Sequence, residues 1–285
     1  MAELLPLDPV LAAVAARAAA APPPFSGTTE EARARMARAV AAARAAGPPP
    51  PEVGSWEDVI AGHGGTEVPV RVYRPAHRNG KLATALFFHG GGFVLGSIDL
   101  ADEIARKLCR DTGAVVVSVG YRLAPEAPFP AAHEDALAAA LWALQVLIAP
   151  GLDMARDAAA LDVPGRTYPM LTTGDLRDIA RLAMGARAEE AASCPPSPAR
   201  AASLAGVAPA LIAVAGHDPL EAEGLAFARR LEDAAVPVAT LQFADMFHPF
   251  LGFFAHSPGA RRATDRICAE IVRNLGQTAP MQVSR

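Results

Sequence analysis

Cysteine is scarce: Cys109, Cys194 and Cys268 are the only three in 285 residues, far apart and odd in number. That excludes a disulfide framework, and no paired spacing suggests a zinc site. No metal is expected, and a reducing, cytoplasmic setting fits. Runs of lysine and arginine are missing too, and with a formal net charge of −4 the chain has no basic field for phosphates. Nucleic acid is therefore not an expected partner. A membrane-length apolar run is also lacking. The uncharged stretch from Ala136 to Leu152 holds 17 residues, but Gln145, Pro150 and Gly151 interrupt it, so no membrane span is expected. The alanine-rich start has Glu3 and Asp8 where a secretory leader carries positive charge, and reads as a helix instead.

What is present is a chain large enough for one sizeable core, 52% hydrophobic and 20% charged. Asp8-Pro9 marks the start of a first helix, stopped by Pro22-Pro23-Pro24. Thr28 and Glu31 form a capping box for a second, ended by Gly47 and four prolines. Strand patterns follow at Glu67–Tyr73, Ala83–Phe88 and Ala114–Val119, with helical spacing over Ile98–Asp111 and Pro130–Leu144. Further strands fall at Gln145–Ala149, Ala210–Ala215 and Val238–Phe243, and further helices at Glu221–Ala235 and Ala260–Leu275. Such alternation predicts a mostly parallel sheet with helices on both faces and functional loops at the carboxyl ends of strands. One join breaks the rhythm. The helix ending near Trp142-Ala143-Leu144 runs straight into the strand beginning at Gln145, although such connections usually take about 2 to 6 residues.

Chemistry-bearing residues cluster after the strands. His89-Gly90-Gly91-Gly92 can turn sharply and present bare backbone N–H groups, as an oxyanion hole requires, or can be a plain flexible turn. It lacks the lysine of a P-loop and the spacing of a dinucleotide-binding turn. Tyr121-Arg122-Leu123-Ala124-Pro125-Glu126 follows the next strand. Together these segments resemble the hormone-sensitive-lipase family of carboxylesterases, an α/β-hydrolase fold with a helical lid. The resemblance implies Gly90 and Gly91 as oxyanion donors, His89 and Gly92 as support for the glycine loop, and Glu126 as a structural partner in the turn. For Arg122 and Glu126 the plainer reading is a surface ion pair. Gly216-His217-Asp218-Pro219-Leu220 is similar to the family's acid motif, and Met246-Phe247-His248 to its histidine segment. Asp218 and His248 are thus implied as catalytic acid and base, in the expected chain order. Asp153, Met154 and Ser197 to Arg200 also match the family, or are ordinary loop residues. The same resemblance divides the chain into N-terminal lid helices (1–50), a first part of the core (51–150), a lid segment (151–205) and a second part of the core (206–285).

A serine hydrolase of this fold needs Gly-x-Ser-x-Gly on a strained strand-to-helix turn, and no such pentapeptide occurs in this sequence. The family places it between the helix ending near Trp142 and the strand beginning near Val146, where the abnormal join lies. An in-frame loss of about 40 residues, holding the central nucleophile strand and its helix, accounts for both. No substitute stands out. Ser97 reads as a helix cap, Ser118 lies in a strand, Ser193, Ser197 and Ser203 fall in the lid, and Cys194 is followed by two prolines. Gly120, Ala149, Ala222 and Pro249 depart from the family's usual Asp, Tyr, acidic residue and Gly. The vacancy must be filled by residues 146–149 shifting one place, or leave a gap with unpaired backbone groups. The nucleophile therefore stays unassigned. The expectation is an ester hydrolase by ancestry, inactive or strongly impaired, needing no cofactor and taking a small-molecule ester or carbonyl ligand. The alternative is a non-catalytic binding protein using the glycine loop and lid pocket. A homo-oligomer stays open.

Overall fold

The computed structural model describes residues 5–61, 65–78, 82–139, 145–163 and 166–275. Two helices lead, α1 (Pro9–Ala19) and α2 (Thr29–Ala46). Asp8 caps α1 by accepting from the Val10 and Leu11 amides, and the Thr28–Glu31 capping box of α2 is formed on both sides. Then come β1 (Gly54–Ala61), β2 (Glu67–Arg74), β3 (Thr84–Phe88), α3 (Ile98–Thr112), β4 (Val115–Val119) and α4 (Ala131–Ala139). The proposed continuation of α4 to Leu144 lies outside the described residues. The remainder is β5 (Gln145–Ile148), α5 (Thr173–Met184), β6 (Ala210–His217), α6 (Glu221–Asp233), β7 (Val238–Phe247) and α7 (Pro258–Leu275).

The strands form two sheets, in the orders β1-β2-β4-β3 and β5-β6-β7. All pairings are parallel except β1 with β2 and β2 with β4. Among the described residues, 145–148 pair with β6 alone and β3 with β4 alone, so β5 is not shifted against β3. Of the two outcomes open to the sequence, the described residues take the second, with β3 and β5 as edges.

One face of both sheets shares a single core. Ala85 and Phe87 of β3, Val116 of β4, Val146 and Ile148 of β5 and Leu211, Ala213 and Ala215 of β6 meet side chains from α3 and α7 there. Lys107 of α3, almost fully buried, donates to Asp111 at 2.6 Å and to Asp265 of α7 at 2.5 Å, tying the two helices together. Burial opposes the Lys107 charge, but the two carboxylates outweigh it and raise its pKa. On the opposite face the layers stay separate. Leu147, Ile212 and Val214 pack under Phe227, Ala228 and Leu231 of α6. Among the described residues, the first sheet carries there a valine cluster of its own, centred on Val68, Val70 and Val119.

Candidate active site

The best-formed part of the site sits after β6 and β7. β6 is buried along its length as far as Gly216, and it delivers Asp218 to a position only 1% exposed. Asp218 Oδ1 accepts from the Leu220 amide at 2.9 Å, which fixes the carboxylate, while Oδ2 lies 3.0 Å from Nδ1 of His248. A carboxylate held this way orients the imidazole and selects the tautomer that leaves Nε2 as the free acceptor. Nε2 has no hydrogen-bond partner among the described residues. β7 runs on to Phe247, so His248 comes directly off the strand end.

The glycine loop follows β3. The amides of Gly90, Gly91 and Gly92 bond no protein acceptor among the described residues, while the Gly91 carbonyl accepts from Val94 and Leu95. Gly91 sits at φ 136°, and a Cβ there would collide with the Leu95 carbonyl, so only glycine fits. His89 is buried behind the loop. Its Nδ1 is 3.0 Å from the Gly90 carbonyl and its ring stacks on Tyr121 at 4.4 Å, while the Tyr121 hydroxyl donates to the His89 carbonyl at 2.6 Å. Burial holds the His89 pKa below its usual value and pushes Tyr121 up, so both are neutral props at pH 7.

Arg122 and Glu126 do not pair with each other, which corrects the ion-pair reading. Arg122 holds the fully buried Asp135 of α4 through its backbone amide (2.9 Å) and its guanidinium (2.8 Å), with Glu134 at 3.3 Å. Glu126 instead receives a two-pronged bond at 2.8 Å from Arg33 of α2. The same guanidinium donates at 2.9 Å to the Val94 and Ala124 carbonyls, so Arg33 pins helix, glycine loop and turn together. Sequence reading missed it, because one arginine among several on an exposed helix carries no local signal. It also missed Phe93, which takes a left-handed backbone (φ 63°), stacks on His133 and packs with Phe129, Leu176, Ile179 and Leu220.

None of the alternative nucleophiles bonds His248. Ser97 Oγ accepts from the Leu100 amide as the cap of α3, and Ser118 is buried in β4 with no partner for its hydroxyl. Ser193 donates to the Glu190 carbonyl, and Ser203 accepts from the Ala205 amide. Ser197 binds the Met154 amide at 2.7 Å and the Ala191 carbonyl at 2.6 Å, beside the Arg200–Asp153 pair at 2.8 Å. That segment is a braced loop rather than a loose one. Cys194 is exposed.

A mixed sheet and a parallel one, with an Asp–His pair after adjacent strands and a glycine loop after a third, define a hydrolase architecture. A family model described as alpha/beta hydrolase fold matches residues 85–145 and 142–252. The chain belongs to this family, of the hormone-sensitive-lipase type, and is carboxylesterase-like. It is 32% identical to the esterase LipI of Mycobacterium tuberculosis over 242 residues, covering 70% of this chain and 76% of LipI. It is 31% identical to the carboxylic ester hydrolase LipN of the same organism over 258 residues, covering 74% and 68%. The hyperthermophilic esterase from Pyrobaculum calidifontis superposes with a TM-score of 0.85 at 29% identity, covering 95% of this chain and 99% of that one. The family match comes in two pieces that meet at 142–145, between α4 and β5. Among the described residues no helix is long and apolar enough to cross a membrane.

Proposed function

We propose that the chain retains the acid, base and oxyanion-holding parts of a carboxylic-ester-hydrolysing site without a nucleophile of its own. The observation that carries this is the buried Asp218 carboxylate set 3.0 Å from His248 Nδ1, with no partner for the other ring nitrogen among the described residues. In ester hydrolysis Asp218 orients His248, His248 takes the proton from an attacking hydroxyl, and the Gly90 and Gly91 amides hold the oxyanion. Those amides lie unclaimed in the glycine loop, which supports that role. The absence of Gly-x-Ser-x-Gly from the sequence leaves water as the one nucleophile these residues can activate. The unpaired edges of β3 and β5 and the break in the family match at 142–145 support loss of one strand–turn–helix unit there.

A short-chain chromogenic ester assay tests the reading. Turnover should lie roughly a thousandfold or more below that of an intact esterase, since loss of the nucleophile removes most of the acceleration. The residual rate should fall further in Asp218→Asn. Turnover within about tenfold of an ordinary esterase, abolished by His248→Ala, would show that a nucleophile is present after all.

A further inference from the structure

The pairing of β6 with β7 is irregular at the end that carries the site. It runs in register from Ala210 with Val238 to Ala215 with Phe243 and then slips, since His217 pairs with Phe247. Ala244, Asp245 and Met246 therefore stand opposite Gly216 alone, in a bulge on β7 shortly before His248. Such bulges re-aim the side chains that follow and leave backbone groups to be paired off the ladder. A Cβ on Gly216 would collide with the backbone of Ala244, so the bulge closes only over glycine. Asp218 comes off the end of the partner strand. The alignment of Asp218 with His248 thus depends on what holds the bulge.

The N-terminal segment reaches it. The Asp8 amide donates to the Asp245 carbonyl, inside the bulge, at 3.0 Å. Asp8 Oδ1 accepts from the Val10 and Leu11 amides at 3.0 and 3.1 Å, and from the buried Ser257 hydroxyl at 2.9 Å. Ser257 in turn accepts from the Ala260 amide at 3.0 Å, in the first turn of α7. A Cβ on Gly259 would collide with Asp8 Oδ2, so the carboxylate is seated closely against that turn. Upstream, His217 Nε2 donates to the Leu5 carbonyl at 2.8 Å, and downstream Leu11 is fully buried in one cluster with Met246, Phe247 and Phe250. An ordinary cap closes on its own helix, as the Thr28–Glu31 box of α2 does. Asp8 also bonds β7 and the start of α7, both outside α1.

We propose that Asp8 is a positioning residue for the Asp218–His248 pair. Its amide anchors the bulge, and its carboxylate locks that amide to α1 and α7, which fixes the strand end from which His248 projects. What a fixed His248 is for rests on the ester-hydrolysing reading, whereas its fixation does not.

The readout is the His248 tautomer, seen by nitrogen NMR of the full chain labelled at histidine and assigned by its loss in His248→Gln. In the native protein the Asp218 carboxylate should keep the proton on Nδ1. Asp8→Ala should lower the ratio of Nδ1-protonated to Nε2-protonated ring about threefold or more, and Ser257→Ala should lower it about twofold. Asp8→Asn keeps an equally good cap oxygen and should restore the native ratio. Thr28→Ala loses a cap bonded within α2 and should leave the ratio unchanged. A native ratio in folded Asp8→Ala, or in Ser257→Ala where Asp8→Ala does not fold, overturns the proposal and leaves Asp8 a helix cap. An equal fall in Thr28→Ala also overturns it, because general loss of stability then explains the shift. Ester hydrolysis is read separately. A moved tautomer with unchanged residual hydrolysis leaves the positioning role standing and overturns the ester-hydrolysing reading of the pair.

Discussion

At the scale of single residues, the catalytic candidates were readable and their supports were not. Asp218 and His248 stand in short motifs whose chain order is preserved, so the pair could be named before its 3.0 Å contact was seen. Arg33 and Phe93 act through partners remote in sequence, Glu126 and Leu220 among them, and nothing local announces such contacts. The same holds for His133, stacked on Phe93 with Nδ1 buried and unpartnered. Burial lowers the pKa of both His89 and His133. In the unfolded chain each binds a proton as pH falls through about 6.5, while the folded state resists until lower pH. Stability is therefore complete above that range and is lost on acidification below it. Thermal melts should show a plateau near neutrality and a declining Tm below about pH 6.5. His133→Phe keeps a ring against Phe93 and should flatten that decline, by at most about 1.4 kcal/mol per pH unit. An unchanged slope would assign the acid sensitivity elsewhere.

Elements with a strong period were legible, and those fixed by partners were not. Both N-terminal caps, the Ser97 cap and six of the seven strands follow from pattern alone. β1, Gly-Ser-Trp-Glu-Asp-Val-Ile-Ala, has no clean alternation and owes its conformation to full-length pairing with β2. α5 escaped notice because its capping box is Thr172 with Asp175 rather than with Glu or Gln. The link between α3 and α7 depends on a residue that helical periodicity would place on a charged surface. Lys107→Met should cost roughly 1 kcal/mol in chemical denaturation, because the α3–α7 bridge to Asp265 is lost while Asp111 keeps Arg110 as its partner. A neutral outcome would mean that packing in the shared core, rather than the ion pair, holds the helices together.

For the whole molecule, class and layering could be foreseen from strand–helix alternation, whereas the fate of the central sheet could not. Whether β5 would move against β3 depends on a balance of pairing and packing spread over the entire core. The result is two sheets joined through one buried layer in which Cys109 and Cys268 both sit. Burial pushes the Cys109 thiol up to about 11 and the Cys268 thiol up to about 12. Titration with a thiol reagent near neutral pH should therefore report one fast group, Cys194, and three after unfolding. Three fast thiols in the native protein would mean that the two sheets part in solution.

The α3–α7 layer has a mechanical consequence. Because the valine cluster and the α6 cluster do not merge on the opposite face, the two sheets are related as the covers of a book are to its spine. Bending that opens the two sheets must part the cluster that holds Phe93 and Phe129 with Leu176, Ile179 and Leu220, and shear within the spine must break the Lys107 bridge and the packing of α3 on α7. The separation of the glycine loop from His248 is therefore set by the α3–α7 layer on one side and by the Phe93–Leu220 cluster on the other, with no strand pairing between β3 and β5 among the described residues. A distance set by side-chain packing, rather than by a continuous hydrogen-bonded sheet, is one that core substitutions in either layer would change.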